Sequence, residues 1–166
     1  METVAMYWEP RIKTYGFQVV KELALYRYQI PVNRSNHWEH ALECIENGPN
    51  RFHLICGQLN ESLDLSLLLL CGPDRGRSFS RPIEAEMPIV EGCRRQVITP
   101  VEFLFFQGPH FGDRFGVADF TYRALKDHAN DLLAAVFSCA SIYLVLPEGS
   151  ADGALDQLNA AFNIPS

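Results

Sequence analysis

Apolar and polar positions along this chain change period several times, and each change marks an element. Leu23 to Ile30 (LALYRYQI) alternates in the manner of a half-buried strand, and Pro31 ends it. Asn36 precedes Glu39 in a capping-box-like start. Trp38, Ala41, Leu42 and Ile45 then recur at the spacing of one helix face, and Asn47-Gly48-Pro49 stops it. Phe52 to Gly57 and Leu63 to Cys71 read as two further strands. The segment from Gly72 to Pro82 (GPDRGRSFSRP) is a turn-rich connection.

The same order then returns. Val101 to Phe106 (VEFLFF) is strand-like, and Gly108 to Gly116 forms a glycine-bracketed loop. Val117, Phe120, Ala124 and Leu125 line one face of a helix, and Leu132 to Phe137 and Ser141 to Leu146 follow as strands. After the turn Pro147-Glu148-Gly149, Leu155, Leu158 and Phe162 define a last amphipathic helix. Corresponding strands of the two halves lie about 77 residues apart, which predicts a repeat of architecture rather than of sequence. Chance recurrence of a common strand–helix unit is the other explanation. The expected organisation is an arm at 1–20, a first module at 21–99 and a second at 100–166. Within 83–98 only Val97 and Ile98 suggest a strand. The fold class that follows is α+β, with an antiparallel sheet and helices on one face.

Composition narrows the function. Of the 166 residues 48% are hydrophobic and 20% are charged, enough for a core and against wholesale disorder. A net charge of −6 argues against general nucleic-acid binding, which needs a basic face. The apolar run Leu65 to Cys71 is far short of a membrane span, and the N-terminus has no apolar stretch of signal-peptide length. The expected setting is therefore cytoplasmic, without membrane contact. The five cysteines show no CxxC spacing, and an odd number in mostly apolar surroundings predicts buried free thiols. No histidine spacing suggests a metal, and no cofactor is expected.

The loop carries the candidate chemistry. A helix start offers N–H groups to a carboxylate, so Gly108, His110, Phe111, Gly112, Asp113, Arg114, Phe115, Gly116 and Val117 form one candidate wall of a ligand pocket. Asp113 is a candidate partner for an ammonium group or a helix cap, and Arg114 a candidate for a second carboxylate. A tight turn that needs glycine for its backbone angles is the plain alternative. Ser138 and Ser141 are candidate polar contacts on a facing strand, or ordinary residues of a hairpin turn. His110 with Asp113 is the only pair that suggests acid–base catalysis, and it lacks an evident orienting group; no catalytic residues are assigned. Arg75, Arg77 and Arg81 suit a solvated linker or an anionic partner, but their segment does not match a P-loop.

Three segments of the second half resemble the ACT domain, a small ligand-binding regulatory module of βαββαβ ferredoxin-like fold. They are GPHFGDRFGVADFTYRAL, FSCASIYLVLPEG and ADGALDQLNAAF, over roughly residues 100–163. More narrowly, they look like the tandem ACT modules at the C-terminus of aspartate kinases. The resemblance implies tandem ferredoxin-like modules and a stand-alone regulator that binds an amino-acid effector at a module or subunit interface. It further implies a homodimer, an output through a separate enzyme, and no catalysis by the chain itself. Ser138 and Ser141 would then be effector contacts. The first half departs from the pattern, because Pro31-Val32-Asn33-Arg34-Ser35 lacks the glycine before the helix. A protein-interaction module of the same fold, or a small enzyme using the loop, are the competing expectations.

Overall fold

The computed structural model describes residues 11–31, 43, 51–59, 64–73 and 92–164, without the side chains of residues 64 and 127. Its strands are β1 (Phe17–Pro31), β2 (Phe52–Leu59), β3 (Asp64–Cys71), β4 (Arg94–Gln107), β5 (Ala134–Phe137) and β6 (Ser141–Pro147). Helix α1 spans Val117–Leu125, a 3-10 segment follows over Lys126–Asp131, and α2 spans Ala151–Ala161. The strands hydrogen-bond in the order β2-β3-β1-β4-β6-β5. Apart from Glu43, which is helical, the expected helix over 36–47 lies outside the described residues, as does most of the Gly72–Pro82 connection.

The chain divides into two compact units, Met1–Lys21 with Glu102–Ser166, and Glu22–Val101. Both β1 and β4 contribute to each. In the discontinuous unit the strand order is β1-β4-β6-β5, with Phe17–Lys21 as the outer strand beside Glu102–Gln107. In the continuous unit it is β2-β3-β1-β4. Thus strand begins at Phe17, not Leu23, and the last residues of the expected arm complete the second module's sheet. A strand–helix–strand–strand–helix series has two helices to cover, and a fourth strand widens the sheet beneath them.

Partner positions show that β1 and β4 run antiparallel. The Tyr15 N–H donates to the Gln107 carbonyl at 2.8 Å. Lys21 Nζ lies 3.6 Å from Glu102 Oε1. Thr99 Oγ1 donates to the Leu23 carbonyl at 3.5 Å, and Arg27 Nη1 to Gln96 Oε1 at 3.3 Å. Partner numbers fall as β1 advances. The pairs β1–β3, β2–β3 and β5–β6 are antiparallel as well.

The discontinuous unit packs both helices on one sheet face. Leu104, Phe106, Ile142, Leu144 and Leu146 face Val117, Leu125, Ala151, Ala154 and Leu158, all buried. Ala154 and Leu158 lie one turn apart, and the small side chains of Ala151 and Ala154 let α2 approach the sheet closely. On α1 the buried positions are Val117, Thr121 and Leu125, while Phe120 and Ala124 pack at the margin. Thr121 belongs inside because its hydroxyl donates to the Val117 carbonyl at 2.8 Å. Four phenylalanines, Phe17, Phe106, Phe111 and Phe162, close the end of this core, with Phe17 and Phe106 centroids 4.8 Å apart.

Glu102 has only 4% of its surface exposed. Its Oε2 accepts the Ala151 N–H at 2.7 Å, at the first residue of α2. Ser150 makes no side-chain cap bond, so the carboxylate from β4 does the capping. Lys21 reaches the same corner and donates to both carboxylate oxygens of Asp152, at 2.9 and 2.8 Å.

The continuous unit has its own core of Ala24, Tyr26, Tyr28 and Ile30 against Leu67, Leu69 and Cys71. Only Cys71 of the described cysteines is buried: Cys56 and Cys93 are intermediate and Cys139 is exposed. The expectation of generally buried thiols therefore fails at Cys139. Apolar neighbours in sequence, Phe137 and Ala140, flank a hairpin tip rather than a strand interior. Leu132 and Leu133 likewise precede β5, because the 3-10 segment runs to Asp131.

Candidate functional site

The loop between β4 and α1 is built around two kinds of glycine. Gly108 and Gly112 are required by space. A Cβ on Gly108 would overlap the Phe111 ring and the Lys13 carbonyl, and one on Gly112 would sit 3.0 Å from the Cys139 carbonyl oxygen. Gly116 is required by conformation: it lies at φ 82° with open space around the missing Cβ. That left-handed residue starts α1, and its carbonyl accepts the Phe120 N–H at 2.9 Å.

Because Gly116 occupies the cap position, no side chain caps α1. Asp113 is not the helix cap that was one of its expected roles. It turns back to His110 instead: the Asp113 N–H donates to the His110 carbonyl at 3.2 Å, and Asp113 Oδ2 lies 3.2 Å from His110 Nδ1. His110 holds a left-handed φ of 63°, which suits a tight turn closed by a neighbouring acceptor. Both side chains are exposed, at 42% and 74%, so water screens the pair. As chemistry, this is an imidazole beside a carboxylate at a loop tip.

The loop and the β5–β6 hairpin enclose a cavity of about 260 Å³. Its walls are Phe111, Arg114, Phe115, Gly116, Val117 and Ala118 from the loop and helix start, and Phe137, Ser138 and Ile142 from the hairpin. Six of the expected site residues, Phe111, Arg114, Phe115, Gly116, Val117 and Ser138, thus come together. Gly108, His110, Gly112, Asp113 and Ser141 do not line it. Ala118, Phe137 and Ile142 were not anticipated, because their apolar character signals core as readily as pocket.

The two serines close the hairpin. Ser138 Oγ donates to the Ser141 carbonyl at 3.1 Å and stands 3.1 Å from the Ser141 N–H, while the Ser138 N–H donates to the same carbonyl at 2.9 Å. Ser141 is buried behind this turn. Phe115 is the opposite case, fully exposed at the cavity's rim, whereas Phe111 is buried at 6%. The cavity therefore has an apolar floor, one guanidinium and the N-terminal end of α1. Such a combination suits a small ligand with a carboxylate and a hydrocarbon body.

A second cavity of about 300 Å³ in the same unit is lined by Tyr15, Gly16, Phe17, Gln18, Phe105, Phe106 and Gln107. Among the described residues no group of three or more His, Cys, Asp and Glu side chains is placed to hold a metal. No described helix is long and apolar enough to cross a membrane.

The fold is that of the regulatory part of aspartate kinases. The regulatory subunit of aspartate kinase from Thermus flavus superposes with a TM-score of 0.77 at 12% identity, covering 91% of this chain and 99% of that one. A putative C-terminal regulatory domain of aspartate kinase from Porphyromonas gingivalis gives 0.61 at 12% identity, over 89% and 96%. Aspartokinase III of E. coli in complex with lysine and aspartate gives 0.62 at 13% identity, and there this chain corresponds to 35% of that protein. These likenesses bear out the ACT-type resemblance and the antiparallel α+β architecture. No family model and no curated protein matches the sequence.

Proposed function

We propose that the chain is a regulatory module that binds a small effector, an amino acid, in the cavity between the α1 start and the β5–β6 hairpin. The observation that carries this reading is the uncapped start of α1 opening on that cavity, with Arg114 in its wall. The effector's carboxylate would lie at the N-terminal end of α1, where backbone N–H groups and the helix dipole favour negative charge. Its side chain would lie against Phe111, Val117 and Ile142. A volume of about 260 Å³ suits a ligand of this size better than a nucleotide. The fold likeness to a regulatory subunit of aspartate kinase and to an aspartokinase in complex with lysine and aspartate supports the same class.

Regulation needs an effector that favours one arrangement over another. Phe115, bare at the cavity rim, is the group through which occupancy would reach a second copy of the chain. The output would pass to a separate enzyme. The test is a thermal-shift screen of the protein against the twenty amino acids, followed by calorimetric titration and light scattering on any hit. One or a few amino acids should raise Tm saturably, and Arg114→Ala should weaken binding about tenfold or more. If no amino acid binds at millimolar concentration, the effector reading fails. A stable dimer that Phe115→Ser abolishes would then favour a protein-interaction module.

A further inference from the structure

Building on the effector reading above, we infer that the effector is an amino acid with an uncharged hydrocarbon side chain, aliphatic or aromatic. The cavity selects against the side-chain charges of lysine and aspartate. Its walls offer hydrocarbon and no counter-ion for a cation: among the described residues, none with a carboxylate lines it.

Two carboxylates adjoin the lining residues in sequence, and both are engaged elsewhere. Asp113 Oδ2 lies 3.2 Å from His110 Nδ1, back along the loop. Asp119 Oδ1 accepts the Arg123 Nε–H at 3.0 Å, one turn along α1. Both carboxylates are exposed, and neither residue lines the cavity. The floor is formed by Phe111, Val117 and Ile142, all buried. A lysine side chain directed at that floor would have its ammonium stripped of water with no carboxylate to meet it, which opposes binding. A methyl group in the same place gains from leaving water.

Aromatic rings set the shape. Phe111 packs edge-on against Phe106, with centroids 6.0 Å apart, and Phe137 lies against Tyr122 at 5.7 Å. Those contacts hold the walls in place before a ligand arrives, so little ordering is required on binding. Phe115 is fully exposed at the rim, and a hydrocarbon side chain beside it takes part of that ring out of water. The polar groups serve the part common to all amino acids. The α1 start and Arg114 face the α-carboxylate. The Ser138 hydroxyl donates to the Ser141 carbonyl and accepts the Ser141 N–H, both at 3.1 Å, which leaves one lone pair for the α-ammonium. These contacts do not tell one amino acid from another, so selection falls to the side chain. Aspartate would leave the apolar floor uncovered.

The test is isothermal titration of the intact chain with L-norleucine, L-leucine, L-phenylalanine, L-lysine and L-aspartate. Lysine is norleucine with an ammonium at the end of the same side chain, so that pair isolates the charge. Norleucine should bind saturably and about tenfold or more tightly than lysine, and leucine or phenylalanine should exceed aspartate by a similar factor. Phe115→Glu places a carboxylate at the rim, and should weaken norleucine and strengthen lysine. Because Phe115 is fully exposed, that replacement should leave thermal unfolding without ligand unchanged. Lysine or aspartate binding as tightly as the hydrocarbon amino acids overturns this inference and leaves the effector reading standing. A norleucine–lysine gap that Phe115→Glu does not narrow overturns the placement of the side chain in this cavity. If none of the twenty amino acids binds, the effector reading itself falls, and the side-chain assignment falls with it.

Discussion

Removing the Glu102 carboxylate tests how the discontinuous unit holds its second helix. Glu102→Ala leaves the Ala151 N–H without its 2.7 Å acceptor and a space behind a side chain that is 4% exposed. A hydrogen bond to a charged group contributes about 1.5–3 kcal/mol, and the orphaned amide accounts for the upper part of that range. For a chain of this length the loss corresponds to roughly 4–10 °C in Tm. Glu102→Gln keeps an oxygen for the amide and removes the charge, so only the carboxylate–dipole part goes, about 0.3–1 kcal/mol. Urea unfolding followed by circular dichroism separates the two, provided m stays constant while the midpoint moves. Lys21 still has Asp152 when Glu102 is gone, so Glu102→Ala should leave that exposed pair in place. A loss below about 0.5 kcal/mol for the alanine variant would refute the capping argument. Equal losses for alanine and glutamine would show that charge, and not the hydrogen bond, is what matters.

The hydrogen bond from Lys21 to Asp152 raises the Lys21 pKa above 10.5, with the charges of Asp152 and Glu102 adding to it. The stabilisation is therefore complete below pH 10.5 and is lost as pH rises through the higher folded-state value; Lys21→Met should flatten that part of the stability–pH curve. Gly108→Ala should be the most damaging change in the loop, about 3 kcal/mol or failure to fold, because its Cβ has nowhere to go. Gly116→Ala, with open space but a left-handed φ, should cost about 1 kcal/mol, and denaturant midpoints will rank the two. Iodoacetamide on the folded protein should label Cys139 well before Cys71, as peptide mass spectrometry would show.

Strong apolar alternation made much of the architecture legible. The strand interiors Leu23–Ile30, Val101–Phe106 and Ser141–Leu146 and the helix carrying Leu155, Leu158 and Phe162 all read directly from side-chain period. Pattern failed where a strand lacks a buried face. Arg94–Pro100 has no buried residue, so no period announced it. Phe17–Glu22 was hidden differently: Glu22 adopts φ 60°, which breaks the alternation inside β1. Glycine spacing singled out the loop that lines the cavity, where Gly108 and Gly112 answer to space and Gly116 to backbone angle. The serines carry two readings, effector contacts or residues of a hairpin turn, and Ser138 bonds to the hairpin's own backbone at Ser141.

The outer strand of the discontinuous unit sets a timetable. Thr14 and Gln107, which bond through the threonine hydroxyl at 2.7 Å, stand 93 residues apart in sequence. On a ribosome adding about 5–20 residues per second, that separation is a delay of roughly 5–20 s. Glu22–Val101 is contiguous and emerges whole in that interval. Phe17–Lys21 has its β4 partner only after Gln107 is made, and Lys21 is the charged residue that would discourage mispairing of that segment. A folded insert also draws its two ends toward each other, which lowers the loop entropy that strand must overcome.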